Sequence, residues 1–296
     1  MSKSKGHIAA IFTIIIWGTT FIFTKVLLQV FSPIEIQFLR YTIGFIVLLI
    51  CYPKRLKVSD AKKEMLFAAA GLSGITLYQL LENTALTMTT ASNVGIIITI
   101  APFFTSILSM IFLKTKRPGV QFYLGFVVAI IGVALISYNG SSSLEINPVG
   151  DLLAVFCAIA WAFYSILLKK IEAFGYNTIQ TTRRIFMYGI LFIVPIMFVL
   201  GFDFNLNKFM SPVNVGSILF LGVFTSAICF VTWSKAVKLL GEIKSSAYIY
   251  LIPVVTVATS VIVLKEALTP ILIVGAGLTL MGLLLSQGGR SEKKDF

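Results

Sequence analysis

Apolar runs of about twenty residues, separated by short polar connectors, recur along the whole chain. They fall at roughly 8–30, 33–52, 65–86, 91–113, 120–138, 150–170, 178–200, 213–237, 244–264 and 270–287. A helix rises about 1.5 Å per residue, so about twenty apolar residues cross the hydrocarbon core of a bilayer. The pattern predicts an all-α integral membrane protein with ten transmembrane helices. No connector is long enough to form a domain of its own. The first run is too long for a signal-peptide core and no small-residue cleavage pattern follows it, so it is expected to remain as a span.

Composition narrows the class. Of 296 residues, 57% are hydrophobic and 12% are charged, where a soluble domain carries about 25% charged residues. The mean hydropathy is +0.95. A water-soluble globule cannot hide that much apolar surface, which excludes a soluble enzyme, a disordered chain and a disulfide scaffold. The formal net charge is +12. In a soluble protein this would point to nucleic acid, but here the cations sit in the connectors. With the N-terminus in the cytoplasm, eighteen Lys and Arg fall on the cytoplasmic side, among them Lys3, Lys5, Lys54, Arg55, Lys116, Arg117, Lys244, Arg290, Lys293 and Lys294. Two, Lys208 and Lys265, fall outside. The positive-inside rule then puts both termini in the cytoplasm of a multi-pass plasma-membrane protein. Cys51, Cys157 and Cys229 lie inside apolar runs without a C-x-x-C pair, so neither a disulfide nor a metal site is expected. His7 precedes the first span.

The chain also repeats itself. A shift of 144 residues aligns Gly6 with Gly150, Phe12 with Phe156, Trp17 with Trp161, Lys25 with Lys169, and Arg40 with Arg184. A shift of 151 aligns Ala85 with Ala236, Pro102 with Pro253, Leu113 with Leu264, and Lys114 with Lys265. After a one-residue gap, Gly125 meets Gly275 and Gly132 meets Gly282. The matches are collinear, so residues 1–140 and 141–296 are expected to form two five-helix repeats. Five is odd, so the second repeat is inverted in the membrane, an arrangement that places a substrate site near the midplane between halves.

These residues resemble a known family. Trp17-Gly18-Thr19-Thr20-Phe21 with Lys25, then Phe38-Leu39-Arg40, Thr90-Ala91-Ser92-Asn93 with Pro102, and Leu264-Lys265-Glu266-Ala267-Leu268-Thr269 with Gly275 and Gly282 are similar to motifs of EamA-type members of the drug/metabolite transporter superfamily. Thr115 departs from the pattern, standing where an acidic residue is usual. The resemblance covers nearly the whole chain. It implies a ten-helix carrier of small metabolites, with export as the favoured direction, and leaves the substrate open.

Several residues have the chemistry for a transport site. Trp17 and Trp161 lie about ten residues into their helices, near the bilayer centre, although tryptophan favours the interface. Either they line a cavity or they pack beside small residues. Tyr78, Gln79 and Glu82 share one helical face, and a carboxylate within a span is expensive unless it meets a partner, water or substrate. Lys25 is the expected ion-pair partner of Glu82, and a substrate amine or a coupling proton is the alternative. Arg40 and Arg184 either snorkel and bind backbone or contact an anionic group, with a structural role favoured. Depth and the two shifts add Thr20, Thr99, Tyr164, Trp233 and Tyr248 as substrate-binding candidates. Tyr248 and Tyr250 face different sides of their helix. Pro102 and Pro253 are candidate hinges, since each removes a helix hydrogen bond.

No Walker A pattern, zinc motif or catalytic cluster occurs, so the chain is read as a secondary transporter and not as an enzyme. The expected substrate is a small amino-acid-like or organic metabolite, carried by alternating access. A cationic drug or choline-type carrier is the alternative, followed by a membrane-embedded enzyme or sensor. The expected partners are substrate, membrane lipid and a coupling proton or other ion, with no nucleic acid and no cofactor. A monomer or weak homodimer is expected.

Overall fold

The computed structural model describes residues 3–58, 60–115, 119–139, 148–203, 205–240, 245 and 247–288. Lys116, Arg117, Lys244, Arg290, Lys293 and Lys294 lie outside these residues, as do the side chains of Lys3 and Tyr250.

Among the described residues every regular element is helical. Ten helices follow one another: α1 (Lys3–Leu27), α2 (Pro33–Cys51), α3 (Ala61–Met88), α4 (Ala91–Leu113), α5 (Val120–Asn139), α6 (Pro148–Glu172), α7 (Thr178–Leu200), α8 (Pro212–Leu240), α9 (Ile252–Val263) and α10 (Pro270–Gly288). Local chemistry sets their ends. Ser32 and Glu35 form a reciprocal capping box and Pro33 occupies the first turn, so α2 starts where the sequence demands it. Thr90 caps α4 through the amide of Asn93 at 3.1 Å. Asn177 caps α7 in the same way. Between α7 and α8, Lys208 lies 3.0 Å from Glu35 and 3.3 Å from Asp203. Partial burial favours its neutral amine, yet the hydrogen bonds to those two carboxylates carry its pKa above the ordinary value.

The helices pack with reciprocal contacts. The α1 helix lies against α8 and α9, and α6 lies against α3 and α4. The α2 helix crosses α8, and α7 crosses α3. Three pairs, α2 with α7, α4 with α9 and α5 with α10, join like to like. Each of these pairs joins elements that the 144 and 151 shifts align in the sequence. Backbone details follow suit. Lys114 and Lys265 both adopt left-handed φ, 53° and 56°, and the amides that follow them bond back to Ser109 and Ser260.

Two departures from regular α geometry also match. A π-helical stretch at Gly71–Leu77 interrupts α3, and another at Phe220–Ile228 interrupts α8. A 3₁₀ turn at Ile98–Ile100 precedes Pro102, and one at Ala247–Leu251 precedes Pro253. Each proline stands in the first turn of a fresh α segment. Proline cannot donate and clashes with the carbonyl four residues back, so the preceding turn tightens. Within the ninth apolar run the described residues Ala247–Leu251 are therefore 3₁₀, with α-helix from Ile252 onward.

The α5–α10 pair packs backbone to backbone. A Cβ on Gly282 would lie 2.4 Å from Ala129 N, and one on Gly132 would lie 2.5 Å from Thr279 N. Gly282→Ala is expected to destabilise the protein by about 1–3 kcal/mol. Gly277, on the same helix, has open space, so Gly277→Ala should be silent. Melting curves of the two purified variants check this.

Candidate functional site

The packing leaves a cavity where α1, α2 and α3 meet α4, α6, α8 and α9. It encloses about 520 Å³ of space not filled by atoms, counted out to its open side. Both halves of the chain contribute walls.

One wall is aromatic. The Trp17 ring meets Trp161 edge-on at 5.4 Å, Phe230 at 5.6 Å and Trp233 at 5.3 Å. Trp161 in turn packs on Tyr78 at 5.0 Å and Tyr164 at 5.1 Å. The Trp17 indole N–H donates to the carbonyl of Thr225 at 3.1 Å. That carbonyl belongs to the π stretch of α8, whose wider turn breaks the regular i→i−4 ladder and releases acceptors. The π stretch of α3 does the same, and the amide of Gln37 bonds the carbonyls of Ile75 and Thr76.

The other wall is polar. Glu82 is 2% exposed, and its Oε1 accepts from the Gln79 amide at 2.7 Å. Tyr78 lines the cavity one helical turn before this carboxylate. Gln79 is held in turn by Tyr41 and Asn83. Arg40, also 2% exposed, reaches across the halves: Nε donates to Ser226 Oγ at 3.1 Å and Nη2 to Thr225 Oγ1 at 2.7 Å. Its Nη1 is buried without a partner.

The structure sorts the sequence candidates. Trp17, Thr20, Tyr78, Gln79, Glu82 and Trp161 line the cavity, together with Arg40. Four candidates do not line it. The Thr99 hydroxyl bonds its own helix at Ile96, Tyr164 is buried behind Trp161, and Trp233 stands behind Trp17. Tyr248 bonds His7 at 2.5 Å. The expected Lys25–Glu82 ion pair is not formed. Lys25 Nζ donates instead to the carbonyls of Leu86 at 2.5 Å and Thr89 at 2.7 Å, past the end of the carboxylate's reach. Arg184 does not share Arg40's place either: it pairs with Glu64 at 2.6 Å and bonds Leu56 O. Phe21, Ile98, Ala101, Phe230, Ile249 and Ile252 complete the lining. Apart from Phe21, which stands in the opening motif, they carry no distinguishing signal in the sequence, as apolar residues within spans. Among the described residues no cluster of His, Cys, Asp and Glu could hold a metal ion.

A ten-helix membrane bundle with a cavity between its halves is the architecture of a small-molecule carrier. The model of the EamA-like transporter family matches residues 4–138 and again residues 148–287, and the chain belongs to that family. It is similar to an uncharacterized transporter of Archaeoglobus fulgidus, 29% identical with 95% of this chain and 98% of the relative covered. It is also similar to a protein of Streptantibioticus cattleyicolor named as a probable terminal-alkyne amino-acid exporter, 28% identical with 96% and 94% covered. A solved crystal structure at 17% identity shares the fold, with a TM-score of 0.70 over 98% of this chain and 99% of the other. The protein is thus a multi-pass membrane transporter.

Proposed function

We propose that the chain is a secondary exporter of small amino-acid-like metabolites, working by alternating access at the cytoplasmic membrane. The observation that carries this reading is a cavity lined by both halves, aromatic on one side, with Glu82 held by Gln79 on the other. An ionisable group inside a span marks a substrate or ion path by default. The aromatic wall takes an apolar side chain and the carboxylate takes an amine.

Residues 1–140 and 141–296 act as two inverted five-helix repeats, with both termini in the cytoplasm. The paired contacts and the doubled family match support this division. The matched 3₁₀ turns before Pro102 and Pro253 supply places for each half to bend. The family resemblance favours export, and the relative named as an amino-acid exporter supports an amino-acid-like substrate.

Purified full-length protein in proteoliposomes tests the proposal. Loaded leucine or phenylalanine is expected to leave at least several-fold faster than from protein-free vesicles, and a proton gradient shows whether the step is coupled. Flux of choline but of no amino acid would replace the reading with that of a cation carrier.

A further inference from the structure

We infer that the cavity is a zwitterion site, in which the free Nη1 of Arg40 takes the carboxylate and Glu82 the ammonium of one and the same small molecule. The inference rests on the reading of this cavity as the transport site and adds a second charge requirement to it.

Three observations carry it. Arg40 is buried, lines the cavity, and leaves one guanidinium nitrogen without a partner while its other two donor nitrogens are engaged by Ser226 and Thr225. A buried, unsatisfied charged donor is costly, and native proteins keep few of them without a use. Glu82 lines the same cavity, and the cation expected to neutralise it, Lys25, is committed to the carbonyls at the end of α3. Finally, Arg40 and Glu82 line the same cavity, yet no ion pair joins them among the described residues. The cavity therefore holds one guanidinium and one carboxyl group, the first held by hydroxyls of α8 and the second by the Gln79 amide of α3, and the two are not collapsed onto each other.

A ligand carrying both charges satisfies both groups. The guanidinium edge donates to a carboxylate oxygen in a charge-assisted bond. The Glu82 carboxylate accepts from the ammonium, and the apolar remainder lies on Trp17, Trp161 and Phe230. A pure cation meets Glu82 but is repelled by Arg40, and a pure anion meets the reverse. Selectivity of this kind comes as much from the unmatched charge as from the matched one. Sites that bond a ligand's polar group from buried partners reject the analogue lacking it by large factors.

The test uses full-length protein in lipid nanodiscs, with ligand affinity read from the intrinsic fluorescence of Trp17, Trp161 and Trp233. The probes are leucine and phenylalanine, their decarboxylated amines and their deaminated acids. Wild type is expected to bind the amino acids roughly 100-fold more tightly than either analogue. Arg40→Met should invert the order toward the amines, and Glu82→Gln toward the acids. A melting curve of each variant shows whether it is folded. Equal loss of all probes in a folded Arg40→Met protein, or a wild type that binds amines as well as amino acids, overturns the inference and leaves the transporter reading standing. A wild type that binds no amino acid and moves none in vesicles sinks both.

Discussion

Replacing Glu266 with alanine is expected to lower the stability of the protein by about 2–3 kcal/mol and to raise several-fold the amide hydrogen exchange of the segment 86–94. The carboxylate accepts three bonds at the start of α4: from the amides of Ala91 at 2.9 Å and Ser92 at 3.2 Å, and from the Ser92 hydroxyl at 2.5 Å. Helix N-termini carry unsatisfied N–H groups and a partial positive charge, and a carboxylate suits both. Lys25 binds the carbonyls of Leu86 and Thr89 beside it and feels the charge of Glu266. One end of the bundle is thus tied across α1, α3, α4 and the α9–α10 connector. Glu266→Gln keeps an acceptor and should show a smaller loss. Unchanged exchange and melting in Glu266→Ala would show that the contacts carry no weight. The matched position at the other end is Thr115, whose hydroxyl is buried without a partner. That end lacks the carboxylate, so any latch built on it is one-sided.

Much of this architecture could be read along the chain. The runs at 91–113 and 178–200 match α4 and α7 to the residue, because Thr90 and Asn177 are strong caps placed where the apolar run begins. The first run is displaced toward the C-terminus: α1 starts at Lys3, ahead of its apolar core, and ends at Leu27, because the chain must turn to reach the Ser32 cap. Six of the ten substrate-binding candidates line the cavity, since depth and helical face locate them. What escaped the sequence was anything decided by the approach of two halves. Helix counting put Lys25 at the depth of Glu82, but its amine finds carbonyls closer to hand. Arg40 and Arg184 occupy equivalent places in the sequence, yet one meets Thr225 and Ser226 at the cavity and the other meets Glu64. The π stretches leave no mark in composition, and they free the carbonyls that Trp17 and Gln37 bind.

Two glycines within those π stretches, Gly71 and Gly222, lead to the second large expectation. Gly71→Val and Gly222→Val should each destabilise the protein by about 3 kcal/mol or more, with loss of monodisperse material on purification. A Cβ on Gly71 would stand 2.7 Å from the amide nitrogen of Gly189 and 2.8 Å from the carbonyl of Ile185, so α7 would have to withdraw from α3. A Cβ on Gly222 would stand 2.6 Å from Ile43 Cβ and 3.2 Å from the carbonyl of Arg40, so α2 would have to withdraw from α8. These are the two reciprocal crossings that join the halves. Gly222→Val also displaces the turn bearing Thr225 and Ser226, which hold Arg40. Any folded fraction should therefore lose its preference for zwitterions, whereas a folded fraction of Gly71→Val disturbs the helix that carries Glu82. Gly216 lies on α8 with open space around it, and Gly216→Val should melt like the wild type. If all three variants melt alike, the crossings tolerate more separation than their backbone distances allow, and the fixed spacing of Arg40 and Glu82 loses its structural basis.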